Sequence, residues 1–369
     1  MDKLRQVNEP ELEAIEVGAG ILGTGGGGNP YIGKLRCRQE LRRGRRIDVI
    51  PLDELDDDAL VVSLGGIGAP VVGVEKIEQG EECLRALQAL EQELGQKIDA
   101  TISSEIGGAN SMEPMLTAAQ AGIPVVDGDG MGRAFPEMQM CTWSIYGHKS
   151  SPTAMADEKG NIVVFRNTAS EVWLEKLARA SVVAMGAAAG IALAPMRGDF
   201  VKKYAVPDTI TQAWSLGKAV FDAQGAHRDP IAAILEHEDG RLLMTAKIVD
   251  LKRHLKGGFA VGEVRVEGFG DYQGQNGLID LQNEFLVFRR DGEMEVCVPD
   301  LIVVLDSDTG MPITTEVLRY GQRIAILALP CHDLLRSPEA LDVIGPAAFG
   351  YTDLTYSPLP RRNPAGGTP

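Results

Sequence analysis

Cysteine, histidine, aromatic residues and positive charge are all scarce in this chain, and each scarcity removes a class of protein. The five cysteines, Cys37, Cys83, Cys141, Cys297 and Cys331, are odd in number, widely separated and never in a Cys-x-x-Cys pair. A disulfide framework and a zinc knuckle are therefore excluded, and reduced thiols in the cytoplasm are expected. His148, His227, His237, His254 and His332 are scattered and lack the paired spacing of a zinc-binding helix. Basic residues number 36 against 52 acidic ones, a formal charge of −16, which argues against a chain that holds a phosphate backbone. Nucleic acid is not an expected partner. No stretch approaches the roughly 18 consecutive apolar residues of a membrane span, and Met1-Asp2-Lys3-Leu4-Arg5 lacks the basic-then-apolar pattern of a secretory signal. A soluble, cytoplasmic protein with no membrane partner is expected. The nearest thing to a span, Ser181 to Pro195, is short and rich in Ala and Gly, and reads as a helix packed inside the protein.

Glycine, by contrast, is abundant: 43 residues, clustered where strands should end. Such clusters suit loops that need positive φ or close backbone approach to a ligand. A length of 369 residues implies two or three folding units. In the first half, strand and helix patterns alternate. Helices are expected over Glu11 to Leu22, Lys34 to Arg43, Glu75 to Leu94 and Ser111 to Ala121, the last with Ser111 as N-cap. Strands are expected over Ile47 to Pro51, Ala59 to Leu64, Ile98 to Ser103 and Ile123 to Val126. This alternation predicts an α/β fold, with a mostly parallel sheet covered by helices on both faces. After a long helix over Ser170 to Ala189 and another over Asp208 to Ala223, a strand-rich stretch runs from Leu242 to about Leu329. There Asp291-Gly292 marks a hairpin. The division follows as an N-terminal α/β domain over 1–167, a C-terminal α+β domain over 168–356 and a disordered tail over 357–369.

Ligand crevices of open α/β sheets lie beyond the carboxyl ends of the strands. Three loops there carry chemistry: Gly65 to Pro70, Ser103 to Asn110, and Asp127 to Glu137. If their strands are neighbours, Glu105, Asn110, Asp127, Asp129, Arg133 and Glu137 converge on one cleft among glycine amides. Glu105, after a buried strand and beside glycines, is a candidate base, with a solvated loop carboxylate as the alternative. Asp127 and Asp129, two residues apart, would share a side of an extended segment, where they could hold a metal or share a proton; capping a turn is the equal alternative. Arg133 suits either an anionic substrate group or a structural pairing with these carboxylates. The run Gly23 to Gly28 offers an anion nest with Thr24 as its hydroxyl, but it follows a helix and ends in Asn29-Pro30 rather than Gly-Lys-Ser/Thr, so it is not a nucleotide P-loop. Cys141 is a candidate thiol against the reading of a small buried hydrophobe. In Cys331-His332-Asp333 adjacent residues cannot line up as nucleophile, base and orienter.

Three segments, Leu22 to Tyr31, Glu105 to Asn110 and Pro124 to Glu137, resemble the signatures of the S-methyl thiohydantoin desulfurase family, formerly a family of unknown function associated with the hydantoinase/oxoprolinase group. The resemblance spans about residues 8 to 355. It implies an N-terminal α/β domain followed by a C-terminal domain with a swivelling β-rich unit. It also implies a small cyclic amide substrate, a hydrolase reaction in which water displaces methanethiol to leave a hydantoin, and a hydantoinase/oxoprolinase-type protein partner. Under that reading Glu105, Asp127 and Asp129 carry the proton transfers. Thr24, Gly25, Gly26, Gly27, Asn29, Gly107, Gly108, Asn110, Arg133 and Glu137 bind the substrate. The alternatives are a non-catalytic ligand-binding or partner subunit of a hydantoinase-type complex, and an ATP-dependent enzyme, against which the missing Lys-Ser/Thr counts. No cofactor or metal is specified, and a homo-oligomer is a further option.

Overall fold

A computed structural model describes residues 3–68, 72, 76, 78–256 and 259–361. The first sheet contains β1 (Gln6–Val7), β2 (Ile47–Pro51), β3 (Leu60–Gly68), β4 (Ala100–Ser103), β5 (Val125–Asp129), β6 (Thr153–Ala156), β7 (Ile162–Phe165), β8 (Ala188–Ala192), β9 (Met196–Arg197) and β10 (Val206–Pro207). Its order is β1-β2-β5-β4-β3-β8-β6-β7, with β9 paired to β3 and β10 to β5. The middle strands β2, β5, β4 and β3 are parallel. The flanking ones are antiparallel. Every residue of β4 and β5 is buried, as a parallel sheet covered on both faces requires. The two faces are visible in β3, where Val61 joins one hydrophobic cluster and Val62 and Leu64 join another beneath the helix Glu82–Leu94.

Several element ends differ from the sequence pattern. Helix α1 (Glu9–Leu22) is followed by α2 (Pro30–Arg42), which begins before Lys34 because Asn29 Oδ1 accepts the Tyr31 N–H at 3.0 Å and Pro30 fits the first turn. Strand β3 continues through the glycines to Gly68, since β8 supplies it with an antiparallel neighbour. The helix expected to reach Ala189 stops at Ala184: Gly186 and Ala187 take φ of 89° and 65°, and the chain re-enters the sheet as β8. Ser181 to Pro195 is therefore not a single packed helix. The helix before Leu94 is seen from Glu82; its expected start at Glu75 lies outside the described residues. Ser111 ends a short 3₁₀ turn, and its hydroxyl donates to the Gly108 carbonyl at 2.7 Å instead of capping.

The second sheet is antiparallel throughout: β11 (Arg241–Lys256), β12 (Phe259–Gly268), β13 (Asn276–Gln282), β14 (Glu284–Arg290), β15 (Glu293–Cys297), β16 (Leu301–Asp306) and β17 (Arg323–Leu329), in the order β15-β14-β13-β12-β11-β17-β16. Asp291 and Gly292, with φ of 50° and 91°, form the expected hairpin turn between β14 and β15. The sheet curves into a half-barrel, and Val298 N–H reaches the Leu286 carbonyl at 2.8 Å. Alternate residues of β16 and β17 serve two cores. Ile302, Val304, Ile324 and Ile326 fill the half-barrel, while Leu301, Val303, Ala325 and Leu327 face the core shared with α1 and the first sheet.

That shared core interlocks the two halves of the sequence. Strands β8, β9 and β10, from beyond residue 168, belong to the first sheet. Helix α1 lies against the helix Thr209–Gly225 so closely that a Cβ on Gly18 would sit 1.8 Å from the Ala213 carbonyl oxygen, and one on Gly217 would sit 1.9 Å from that of Ala14. In the stretch expected to lack structure, residues 357–361 follow an ordered path: Leu359 is buried, and its N–H donates to Asp300 Oδ2 at 2.8 Å. Residues 362–369 lie outside the described residues.

Asp127, in the middle of β5, ties the helix Thr209–Gly225 to the sheet. Its Oδ1 accepts the N–H groups of Ile210 (2.9 Å) and Thr211 (3.2 Å), and its Oδ2 accepts the Thr211 hydroxyl at 2.5 Å. Asp127→Ala should cost about 2 kcal/mol, from a lost cap and a buried Thr211 hydroxyl left without its acceptor, with only the Leu4 N–H still bonded to it. Urea unfolding tests this. Unchanged stability with lost turnover would instead return Asp127 to the chemistry.

Candidate active site

The adjacency of β3, β4 and β5 brings the ends of all three strands together. Beyond them a cavity of about 320 Å³ is bordered by residues of both sheets. Glu105 stands in its wall two residues after β4. The side chain is 6% exposed. Asn110 orients it: Asn110 Nδ2 donates to Glu105 Oε1 at 2.5 Å while Asn110 Oδ1 accepts the Gly66 N–H at 2.6 Å. The Phe135 N–H donates to Glu105 Oε2 at 3.1 Å. Burial pushes the Glu105 pKa up to about 7, against the opposing pull of Asn110, the Phe135 amide and Arg133. A carboxyl fixed in this way is about half ionised at neutrality, the condition for a general base.

Of the residues expected to meet here, Gly27, Asn29, Glu105, Asn110 and Glu137 border the cavity. Burial raises the Glu137 pKa, with Glu175 adding to it. The others build the wall from behind. Asp129 accepts the N–H groups of Ile106 (2.8 Å), Met131 (3.2 Å) and Gly132 (2.8 Å), so its carboxylate clamps the two site loops together. Burial pushes its pKa up to about 7 while these amides favour the ionised form. With Asp127 committed to the helix start, neither aspartate borders the cavity. Among the described residues, no group of three or more His, Cys, Asp or Glu side chains is arranged to hold a metal ion.

Arg133, assigned above to an anionic substrate group or a carboxylate, is fully buried and spends its N–H groups on main chain and one hydroxyl. Nη1 donates to the carbonyls of Pro299 (3.2 Å) and Asp300 (2.8 Å). Nη2 donates to Thr24 Oγ1 (2.9 Å) and the Phe285 carbonyl (3.2 Å), and Nε to the Ala134 carbonyl (3.1 Å). The guanidinium thus joins the glycine loop to the second sheet. Thr24 is its acceptor, and Gly107 and Gly108 pack against Gly23, Gly27 and Gly28.

The glycine run is built into this seam at Thr24 to Gly26, while Gly27 to Asn29 border the cavity. The Phe285 N–H donates to the Thr24 carbonyl and the Thr315 N–H to the Gly25 carbonyl, both at 2.8 Å. A Cβ on Gly25 would fall 2.4 Å from the Phe285 ring, and one on Gly26 would fall 2.0 Å from Glu284 Oε1. Glycine is required because the second sheet presses directly on the loop backbone.

Sequence reasoning missed the residues the second half contributes, above all Glu284. A lone acidic residue opening the apolar run Phe285-Leu286-Val287-Phe288 was the available signal. It also missed a charged wall in which Arg36 pairs with Glu78 (2.8 Å) and Glu113, and Lys76 pairs with Glu158 (2.6 Å). Cys141 borders the cavity, but burial pushes its thiol well above the ordinary range, so it is no thiolate nucleophile at neutral pH. Cys331, whose N–H donates to Asp300, is not on the cavity wall.

A parallel-centred α/β sheet and an antiparallel half-barrel that jointly enclose a carboxyl-lined cavity define the class of this protein. Family models described as the S-Me-THD-like N-terminal and C-terminal domains match residues 10–167 and 169–359, and the chain belongs to this S-Me-THD-like family. A crystal structure of a protein from Chromobacterium violaceum is similar at a TM-score of 0.79 and 24% identity, covering 96% of this chain and 100% of that one; the likeness speaks to fold. No curated protein matches the chain. No helix among the described residues is long and apolar enough to cross a membrane.

Proposed function

We propose that the chain is a hydrolase of five-membered cyclic amides, acting as an S-methyl thiohydantoin desulfurase. Water attacks the ring carbon that bears the S-methyl group, methanethiol leaves, and a hydantoin remains for a ring-opening partner enzyme of the hydantoinase type. The observation that carries this reading is Glu105: a buried carboxyl with a pKa of about 7, aimed by Asn110 and the Phe135 amide at a cavity sized for a small ring. The Asn110 bridge to the Gly66 amide supports the role, because a base that is held rigidly meets its water in one geometry.

Incubation with an S-methyl thiohydantoin tests the reading. Free thiol and hydantoin should appear in equal amounts, and kcat/KM should climb as pH rises through about 7, where Glu105 ionises. Absence of thiol release across a set of ring substituents would sink it and shift weight to a ligand-binding subunit.

A further inference from the structure

The half-barrel delivers a second carboxyl to the same cavity. Glu284 is the first residue of β14, directly after Asn283, whose φ of 58° lies in the left-handed region. That conformation is held from both sides. The Ala260 N–H donates to Asn283 Oδ1 at 2.9 Å, the Asn283 N–H to the Ala260 carbonyl at 2.8 Å, and the Thr315 hydroxyl to the Asn283 carbonyl at 2.7 Å. The chain therefore turns sharply, and Glu284 lies against the glycine loop instead of following its apolar neighbours. It is 2% exposed and borders the cavity together with Glu105. Its Oε2 is buried without a hydrogen-bond partner. A buried carboxylate oxygen left unpaired is costly, and the neutral, protonated acid lowers that cost.

We propose that Glu284 is the second catalytic carboxyl, holding a proton at rest while Glu105 is ionised, and that the two exchange protons with the bound ring. The inference rests on the hydrolytic reading above. Burial and the nearby Glu105 both push the Glu284 carboxyl far above the carboxylate range, with Arg133 and the Gly27 amide opposing. Two carboxyls that share a low-dielectric site ionise one at a time. The steps then balance. Glu105 takes one proton from water as its oxygen bonds to the ring carbon, and Glu284 gives its proton to the ring nitrogen of the C=N bond. This leaves a neutral tetrahedral centre carrying OH, SCH₃ and NH. On collapse, ionised Glu284 takes the hydroxyl proton as the C=O forms, the C–S bond breaks, and Glu105 returns its proton to the departing sulfur. Methanethiol and hydantoin leave with both carboxyls in their starting states.

Glu284→Gln keeps the shape and removes the proton exchange. Turnover should fall by about 10²–10⁴-fold, while a hydantoin binds within a few-fold of the parent. Independently of turnover, the infrared difference between parent and variant at pH 7 should show loss of one protonated-carboxyl C=O band. Parent-like turnover in the variant, or a difference spectrum without that band, overturns the assignment. A parent that releases no thiol overturns the desulfurase reading and this proton route with it, whereas the infrared band still decides whether Glu284 carries the proton. If Glu284→Gln does not fold, Glu284→Asp, which retains the acid but retracts it by one methylene, should keep the band and lose turnover; full turnover in it would refute the role.

Discussion

Replacing Glu105 by glutamine is expected to lower turnover of an S-methyl thiohydantoin by about 10²–10⁴-fold while a hydantoin still binds. The amide preserves volume, and its oxygen accepts one of the two bonds that Asn110 and Phe135 now donate to the carboxylate. Its nitrogen faces the other donor, which costs about 1–3 kcal/mol and should appear as an earlier melt without unfolding at 25 °C. The pH behaviour separates this cost from the chemistry. The parent rate should rise through about pH 7, where Glu105 ionises, whereas the residual rate of the variant should lack that limb. Stability runs the other way. The folded pKa lies above the unfolded value of about 4.3, so the stability tied to protonated Glu105 is full below that pH and is lost as pH rises through about 7. Between pH 5 and pH 8 the parent should therefore lose stability that the variant does not. A parent-like rate in Glu105→Gln would refute the assignment of the base.

The largest structural effect is expected at Arg133. Arg133→Met keeps much of the volume over the Phe135 ring, whose centroid lies 4.7 Å from the guanidinium. It strands the carbonyls of Pro299, Asp300 and Phe285 and the Thr24 hydroxyl without their donor. It also removes the buried positive charge near Glu105, Glu284 and Asp300. Each buried acceptor left unpaired costs about 1–3 kcal/mol, so the set takes a large share of the roughly 5–15 kcal/mol that holds a typical protein. Denaturant unfolding should show the loss, or the variant should be recovered only as aggregate. A variant of normal stability that binds hydantoin poorly would restore Arg133 to the substrate contact.

The alternation of elements was legible because a parallel sheet buries both faces of its strands and so writes continuous apolar runs such as Ala59 to Leu64. The conjunction of strand ends near Glu105 followed from that alternation. What hid was decided by tertiary pairing. Nothing local distinguishes Ala188–Ala192 from the end of a helix; its strand state comes from β3. The aspartates looked like chemistry because spacing does not reveal that amides of Ile106, Met131 and Gly132, or of Ile210 and Thr211, already occupy them. Glu284 lies 179 residues from Glu105 in sequence, and only the docking of one sheet on the other places both at one cavity.

The seam at Gly25 and Gly26 also governs how this protein can drift in sequence. A side chain at Gly25 needs the space of the Phe285 ring, and one at Gly26 needs the space of the Glu284 carboxyl. Enlarging the loop is therefore tolerable only with a simultaneous reduction across the seam, and at position 26 that reduction deletes the carboxyl itself. Gly25 and Phe285 form a pair that evolution can trade in two compensating steps, whereas Gly26 and Glu284 form a pair that selection for turnover would lock together.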